Sequence, residues 1–172
     1  MCSFFALPST LVTDLDICMT NQAIHENQAA RQRWLGVLSR AGLAELEQAL
    51  TVLADLPPIE HVRPPEPGMV MLRGRVGGTG DAFNLGEATV TRCALRVGDG
   101  ALGVGYTLGR DRRKAELVAL FDALLQDETR QAQLQRELIT PMYQRQAAGR
   151  EAASRSVAAS KVEFFTFVRG DA

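Results

Sequence analysis

Residues 86–125 place the strongest constraint on what this chain can fold into. The runs 88–97 and 101–108 both read as strands, and Gly98-Asp99-Gly100 between them is a turn sequence, because glycine takes positive φ without a steric cost. The spacing predicts a β-hairpin. Directly after it, Leu117, Leu120, Phe121 and Leu124 recur at helical intervals and are joined by Val118 and Leu125, an apolar stripe broad enough to cover a sheet. On the second strand Ala101, Gly103, Gly105 and Thr107 leave one face nearly bare, so a helix or another chain can approach it closely.

The helix of this unit opens on Arg110-Asp111-Arg112-Arg113-Lys114, where the macrodipole disfavours positive charge. Arginine forks match phosphate oxygens, and the first-turn amides point the same way. Arg110, Arg112, Arg113 and Lys114 are therefore candidate anion or partner contacts. Asp111 and Glu116 lie close enough in sequence to neutralise the run internally, and exposed charge runs are ordinarily solvated. Both readings stand at this level. Gly77-Gly78-Thr79-Gly80 is the second candidate, since its backbone amides can face a phosphate or a partner. It lacks the glycine spacing and the Gly-Lys-Ser/Thr ending of a P-loop, and a tight turn after a strand accounts for it equally.

Upstream, Trp34, Leu35, Val37, Leu38 and Ala41 follow a helical period from Ala30 to a stop at Gly42. Leu43, Leu46, Ala49, Leu50 and Leu53 form a second stripe ended by Pro57-Pro58, which predicts an N-terminal helical hairpin. Pro64, Pro65 and Pro67 frame a turn between two strands, 59–63 and 68–76. In the second, Val70, Leu72 and Val76 oppose Met69, Met71, Arg73 and Arg75. Downstream, Thr140-Pro141 reads as an N-cap and first helical position opening a thinly apolar helix to about residue 158. The end, 161–169, alternates as a strand with Val162, Phe164 and Val168 on one face and Phe165 and Phe167 on the other. The expectation is an α+β fold, a mainly antiparallel sheet flanked by helices, with an N-terminal helical hairpin and a C-terminal strand.

A chain of 172 residues suits one domain, placed at 29–172, with 1–28 a poorly ordered N-terminal extension. Residues 1–18 lack a basic start and carry Asp14 and Asp16, so they read as a tail or a start-site artefact ahead of Met19 and not as an exporting signal. Three scattered cysteines, Cys2, Cys18 and Cys93, with no membrane-length apolar run, point to a cytoplasmic protein. Net charge of −1 gives no general basic field, so an anion site must be local. No metal-ligand set appears: His25 falls in the extension and His61 stands alone on a strand, and neither has an orienting partner in sequence. Cys93 reads as a small buried hydrophobe. Two classes outside a subunit role remain open. One is a stand-alone phosphonate or nucleotide transferase using Arg110, Arg112, Arg113 and His61; the other is a nucleic-acid-binding module using the same basic run.

Arg31-Gln-Arg-Trp-Leu, Gly77-Gly-Thr-Gly, Gly86-Glu-Ala-Thr-Val-Thr-Arg, Gly105-Tyr with Gly109-Arg-Asp, Phe121-Asp-Ala-Leu and Val162-Glu-Phe-Phe-Thr-Phe-Val-Arg-Gly-Asp occur in an order that resembles the PhnG family, subunits of the bacterial carbon-phosphorus lyase core complex. The likeness spans residues 31–171. It implies action with PhnH, PhnI and PhnL to transfer the ribose triphosphate of ATP to an alkylphosphonate such as methylphosphonate, with release of adenine, before PhnJ breaks the carbon-phosphorus bond. It associates the nucleosidase chemistry with PhnI, and the iron-sulfur cluster and S-adenosylmethionine with PhnJ. For this chain it implies a structural and binding role, with no catalytic residue, metal or cofactor of its own. PhnI is the expected direct partner, PhnH and PhnJ belong to the core and PhnL associates with it, without nucleic acid or membrane. The candidate subunit interface is Phe164, Phe165, Phe167, Met142, Tyr143 and Trp34, with the helix of residues 141–158 and the N-terminal hairpin embracing PhnI.

Overall fold

The computed structural model describes residues 14–53 and 56–159. Helix α1 (Asp14–Arg40) and helix α2 (Leu43–Val52) form the N-terminal hairpin. Strands β1 (Ile59–Arg75), β2 (Ala82–Val97) and β3 (Leu102–Leu108) then make an antiparallel sheet in the order β1-β2-β3. Helices α3 (Arg112–Leu125), α4 (Glu128–Leu134) and α5 (Thr140–Ala159) complete the described chain, with a π-helical turn (Gln135–Ile139) joining the last two. This is the expected α+β class. The expected C-terminal strand lies outside the described residues.

Helix α3 is the centre of the molecule. Its residues from Ala115 to Leu125 are all buried, between the sheet on one side and α1, α2 and α4 on the others. The bare face of β3 is what permits this. A Cβ added at Gly103 would lie 2.1 Å from Ala119 O, and one at Gly105 would lie 2.1 Å from Ala115 O, so helix backbone rests directly on strand backbone. That face is filled from within the chain and is not left for a partner. Burying Leu117, Val118, Leu120, Phe121, Leu124 and Leu125 stabilises the fold by about 1.5–3 kcal/mol for each large side chain.

Four local expectations are corrected. The helix begins at Asp14, so it runs through 20–28 instead of an irregular lead-in; Gln22, Ala23, Glu26 and Ala29 are good helix formers, and extending a formed helix needs no new nucleus. Gly42 does not terminate α1 in a left-handed conformation: with φ −72 and ψ 151 it is the N-cap of α2. The prolines do not divide the first strand. Pro64, Pro65 and Pro67 lie within one continuous edge strand, where β1–β2 pairing shifts register between Arg63 and Glu66, and an edge strand tolerates the missing amides. Thr140 is not an N-cap. It is helical at φ −61 and ψ −49, its Oγ1 donates to Gln135 O at 2.8 Å, and the π-helical turn before Pro141 absorbs the ring and the absent amide.

Candidate functional site

The start of α3 resolves its unfavourable charge locally. Asp111 is the N-cap, its Oδ1 accepting from Lys114 N at 2.9 Å, so a carboxylate of the chain itself occupies the first-turn amide. Arg113 Nη1 donates to Glu116 Oε2 at 2.7 Å, and Glu116 Oε1 is 2.9 Å from His61 Nε2 on β1. Burial pushes the Glu116 carboxyl up, but the hydrogen bonds from Arg113 and His61, reinforced by Arg113's charge, outweigh it and hold the group below its ordinary value. Arg110 and Arg112 remain exposed with no ion pair among the described residues.

His61 therefore has the orienting carboxylate that sequence alone did not supply. The signal was topological, since residues 61 and 116 meet only once β1 is paired with β2 under α3. Cys93 lies in the same layer, buried, with Sγ 3.5 Å from Arg63 O. Burial, and next the negative charge of Glu116, push its thiol up to about 11. A thiol so far from ionisation is a poor nucleophile at neutral pH. Among the described residues, no group of three His, Cys, Asp or Glu side chains is arranged to hold a metal ion.

The glycine-rich segment is a turn. Gly77 has φ 59, Gly80 N donates to Val76 O at 2.9 Å, and Arg75 Nη1 donates to Gly80 O at 3.0 Å, linking β1 to β2 in a hairpin. This hairpin overhangs the sheet. β3 pairs with β2 only between Val90 and Arg96, whereas β1–β2 pairing continues to Arg75 and Ala82. The overhang is apolar on both faces: Met69 and Met71 alternate with Val70 and Leu72, all exposed, and Leu85, Phe83 and Val76 are exposed beside them, Met69 at 70% and Leu85 at 65%. The exposed strip continues on to Leu108 and Tyr106, on the sheet face away from α3.

The expected interface residues separate. Trp34 and Met142 are buried in the core of this chain, which corrects their assignment to a subunit surface; the helical stripes that displayed them face α3 and the π-helical turn instead. Tyr143 is exposed, with the Arg150 guanidinium 6.0 Å from its ring centroid. Phe164, Phe165 and Phe167 lie outside the described residues. Sequence reasoning missed Asp122, a fully buried carboxylate that accepts from Arg31 Nη2 at 2.6 Å, Trp34 Nε1 at 2.8 Å and Val104 N at 2.8 Å. An acid flanked by Phe121 and Ala123 inside an apolar stripe, together with Arg31 and Trp34 three residues apart on another helix, was the available signal.

An antiparallel sheet wrapped around a buried helix, with an uncovered apolar ribbon, defines an α+β chain of the assembling kind. Residues 29–170 match the family model described as phosphonate metabolism protein PhnG, and the chain belongs to that family. It is 42% identical over 147 residues to the alpha-D-ribose 1-methylphosphonate 5-triphosphate synthase subunit PhnG of Rhizobium meliloti (strain 1021), covering 83% of this chain and 91% of that protein. No described helix is long and apolar enough to cross a membrane.

Proposed function

We propose that this chain is a non-catalytic subunit of an alpha-D-ribose 1-methylphosphonate 5-triphosphate synthase in the cytoplasm. It works with PhnH, PhnI and PhnL to move ribose triphosphate from ATP to a phosphonate with release of adenine. The observation that carries the reading is the apolar overhang of β1 and β2. A two-stranded ribbon is marginally stable in water by itself, and one that exposes methionines, Val70, Leu72, Phe83 and Leu85 on both faces gains its cover from another chain. Much of α3 and the bare face of β3 are committed to the chain's own core, which leaves this ribbon as the principal surface for PhnI, with PhnH and PhnJ in the surrounding core. ATP, the iron-sulfur cluster and S-adenosylmethionine belong to the other subunits in this reading.

The test is co-expression of the four proteins with Leu85→Asp and Met71→Asp introduced into this chain. The variant chain is expected to keep its thermal unfolding temperature within a few degrees, to drop out of the purified complex, and to abolish adenine release from ATP plus methylphosphonate. Adenine release by this chain alone would overturn the non-catalytic role. Undiminished assembly of the double variant would remove the ribbon as the contact.

A further inference from the structure

A second surface lies away from the ribbon. Between α1 and the π-helical turn leading into α5 runs an open trough of about 430 Å³, lined by Gln32, Arg33, Gly36, Val37 and Arg40 on one side and Gln135, Ile139, Thr140 and Tyr143 on the other. Val37 and Ile139 are buried and form an apolar floor. The walls are pinned, since Gln146 Nε2 of α5 donates to Val37 O at 2.9 Å and Arg145 is ion-paired with Glu45 of α2.

The trough carries two guanidiniums and no carboxylate. Arg31, Arg63, Arg92, Arg113, Arg130, Arg136, Arg145 and Arg155 all have an acidic partner, whereas Arg33 and Arg40 have none among the described residues. Arg40 also lies back along its own helix: a Cβ added at Gly36 would be 3.7 Å from its Nη1. Arg33 and Arg40 sit seven residues apart on one helix face, a rise of roughly 10 Å at 1.5 Å per residue. A single phosphate or carboxylate cannot engage both. Two carboxylates two turns apart on a second helix can, and Gly36 between the arginines leaves room for that helix to reach the floor, as packed helices at about 8–10 Å require.

We propose that this trough is a docking groove for an acidic amphipathic helix of another subunit, one presenting carboxylates two turns apart with an apolar residue between them. The proposal rests on the reading of this chain as an assembly subunit, and it takes the occupant from charge complementarity and from the helix-in-groove geometry of the trough.

The experiment uses the complex purified through a tag on this chain. Arg33→Glu with Arg40→Glu is expected to weaken association with the contacting subunit at least tenfold, and Arg33→Lys with Arg40→Lys less than threefold. Both positions are exposed, so unfolding temperatures should match wild type; Arg33→Gln with Arg40→Gln serves if the reversal unfolds the chain. A photo-crosslinker at Gln32 should label a partner helix with two carboxylates seven residues apart, and changing those carboxylates to lysine should restore binding of the Glu variant. An affinity within twofold of wild type for the Glu variant overturns the proposal. So does labelling of a partner segment without paired acids, or loss of all partner labelling on addition of inorganic triphosphate. If the wild-type chain forms no complex at all, the subunit reading fails as well; if the complex depends on the ribbon and ignores the arginines, only the groove fails.

Discussion

The Trp34 indole donates from Nε1 to Asp122 Oδ1 at 2.8 Å, joining two side chains 88 positions apart. Arg31 adds a charge-assisted bond to Asp122 at 2.6 Å and also reaches Leu102 O at 3.0 Å, while Asp122 Oδ2 accepts from Val104 N. One buried carboxylate thereby fastens α1, α3 and the outer edge of β3. It satisfies strand groups that no fourth strand of the described chain pairs.

Replacing Asp122 by alanine strips the partner from a buried indole N–H and from Arg31 together, a change that typically costs about 3–5 kcal/mol when an ion pair is fully buried. Arg31 is partly solvated, so the lower end of that range is expected. Urea unfolding should show Asp122→Ala as the largest loss, Asp122→Asn intermediate and Arg31→Gln smallest, because water can reach the site vacated by arginine.

Gly103 and Gly105 make the opposite kind of prediction, since there the cost comes from adding atoms. A methyl group at either position would overlap the α3 backbone at 2.1 Å, which no rotamer change relieves. Gly103→Ala and Gly105→Ala should each destabilise the chain by about 1–3 kcal/mol or more, measured as a fall in the thermal midpoint. Gly149→Ala, on the exposed face of α5 with no atom nearby, should raise that midpoint slightly.

Why some of this was legible in sequence and some was not follows from range. The hairpin β2–β3, the α3 stripe and the bare strand face depend on periods of two and 3.6, and those survive without tertiary information. The glycine turn at Gly77 was legible for the same reason. Trp34 and Met142 were misplaced because a helical stripe records that a face is covered, not which chain covers it. Prolines 64, 65 and 67 suggested a break because their tolerance depends on β1 being an edge strand, a property of sheet order. The His61–Glu116 and Trp34–Asp122 contacts needed the topology itself. Yet Arg31-Gln-Arg-Trp and Phe121-Asp-Ala-Leu, two of the blocks that carry the family likeness, prove to be in direct contact.

Glu116 gives the chain an acid-sensitive link between β1 and α3. Its folded-state value lies below the ordinary 4.5, so the unfolded chain binds its proton more readily. Stability from this group is complete above the ordinary glutamate range and is lost as pH falls through the lower folded value. The stability of Glu116→Gln should therefore fall less steeply than that of wild type below pH 4.5, with the two curves parallel near neutrality. Equal slopes in acid would show that the Arg113 and His61 bonds do not persist in solution.

The ribbon is expected to separate from the rest of the sheet in its dynamics. Beyond the Val90–Leu108 pair, β1 and β2 have no third strand, while the segment from Val90 to Arg96 is paired on both sides and packed against α3. Local opening follows buried apolar area and backbone protection, and both are small along residues 69–75 and 82–87. Amide exchange in the isolated chain should be at least a hundredfold faster there than at residues 91–95, and purified complex should slow the ribbon selectively. Slow exchange of the ribbon in the isolated chain would mean that it is already covered, and would remove the physical reason for its needing a partner.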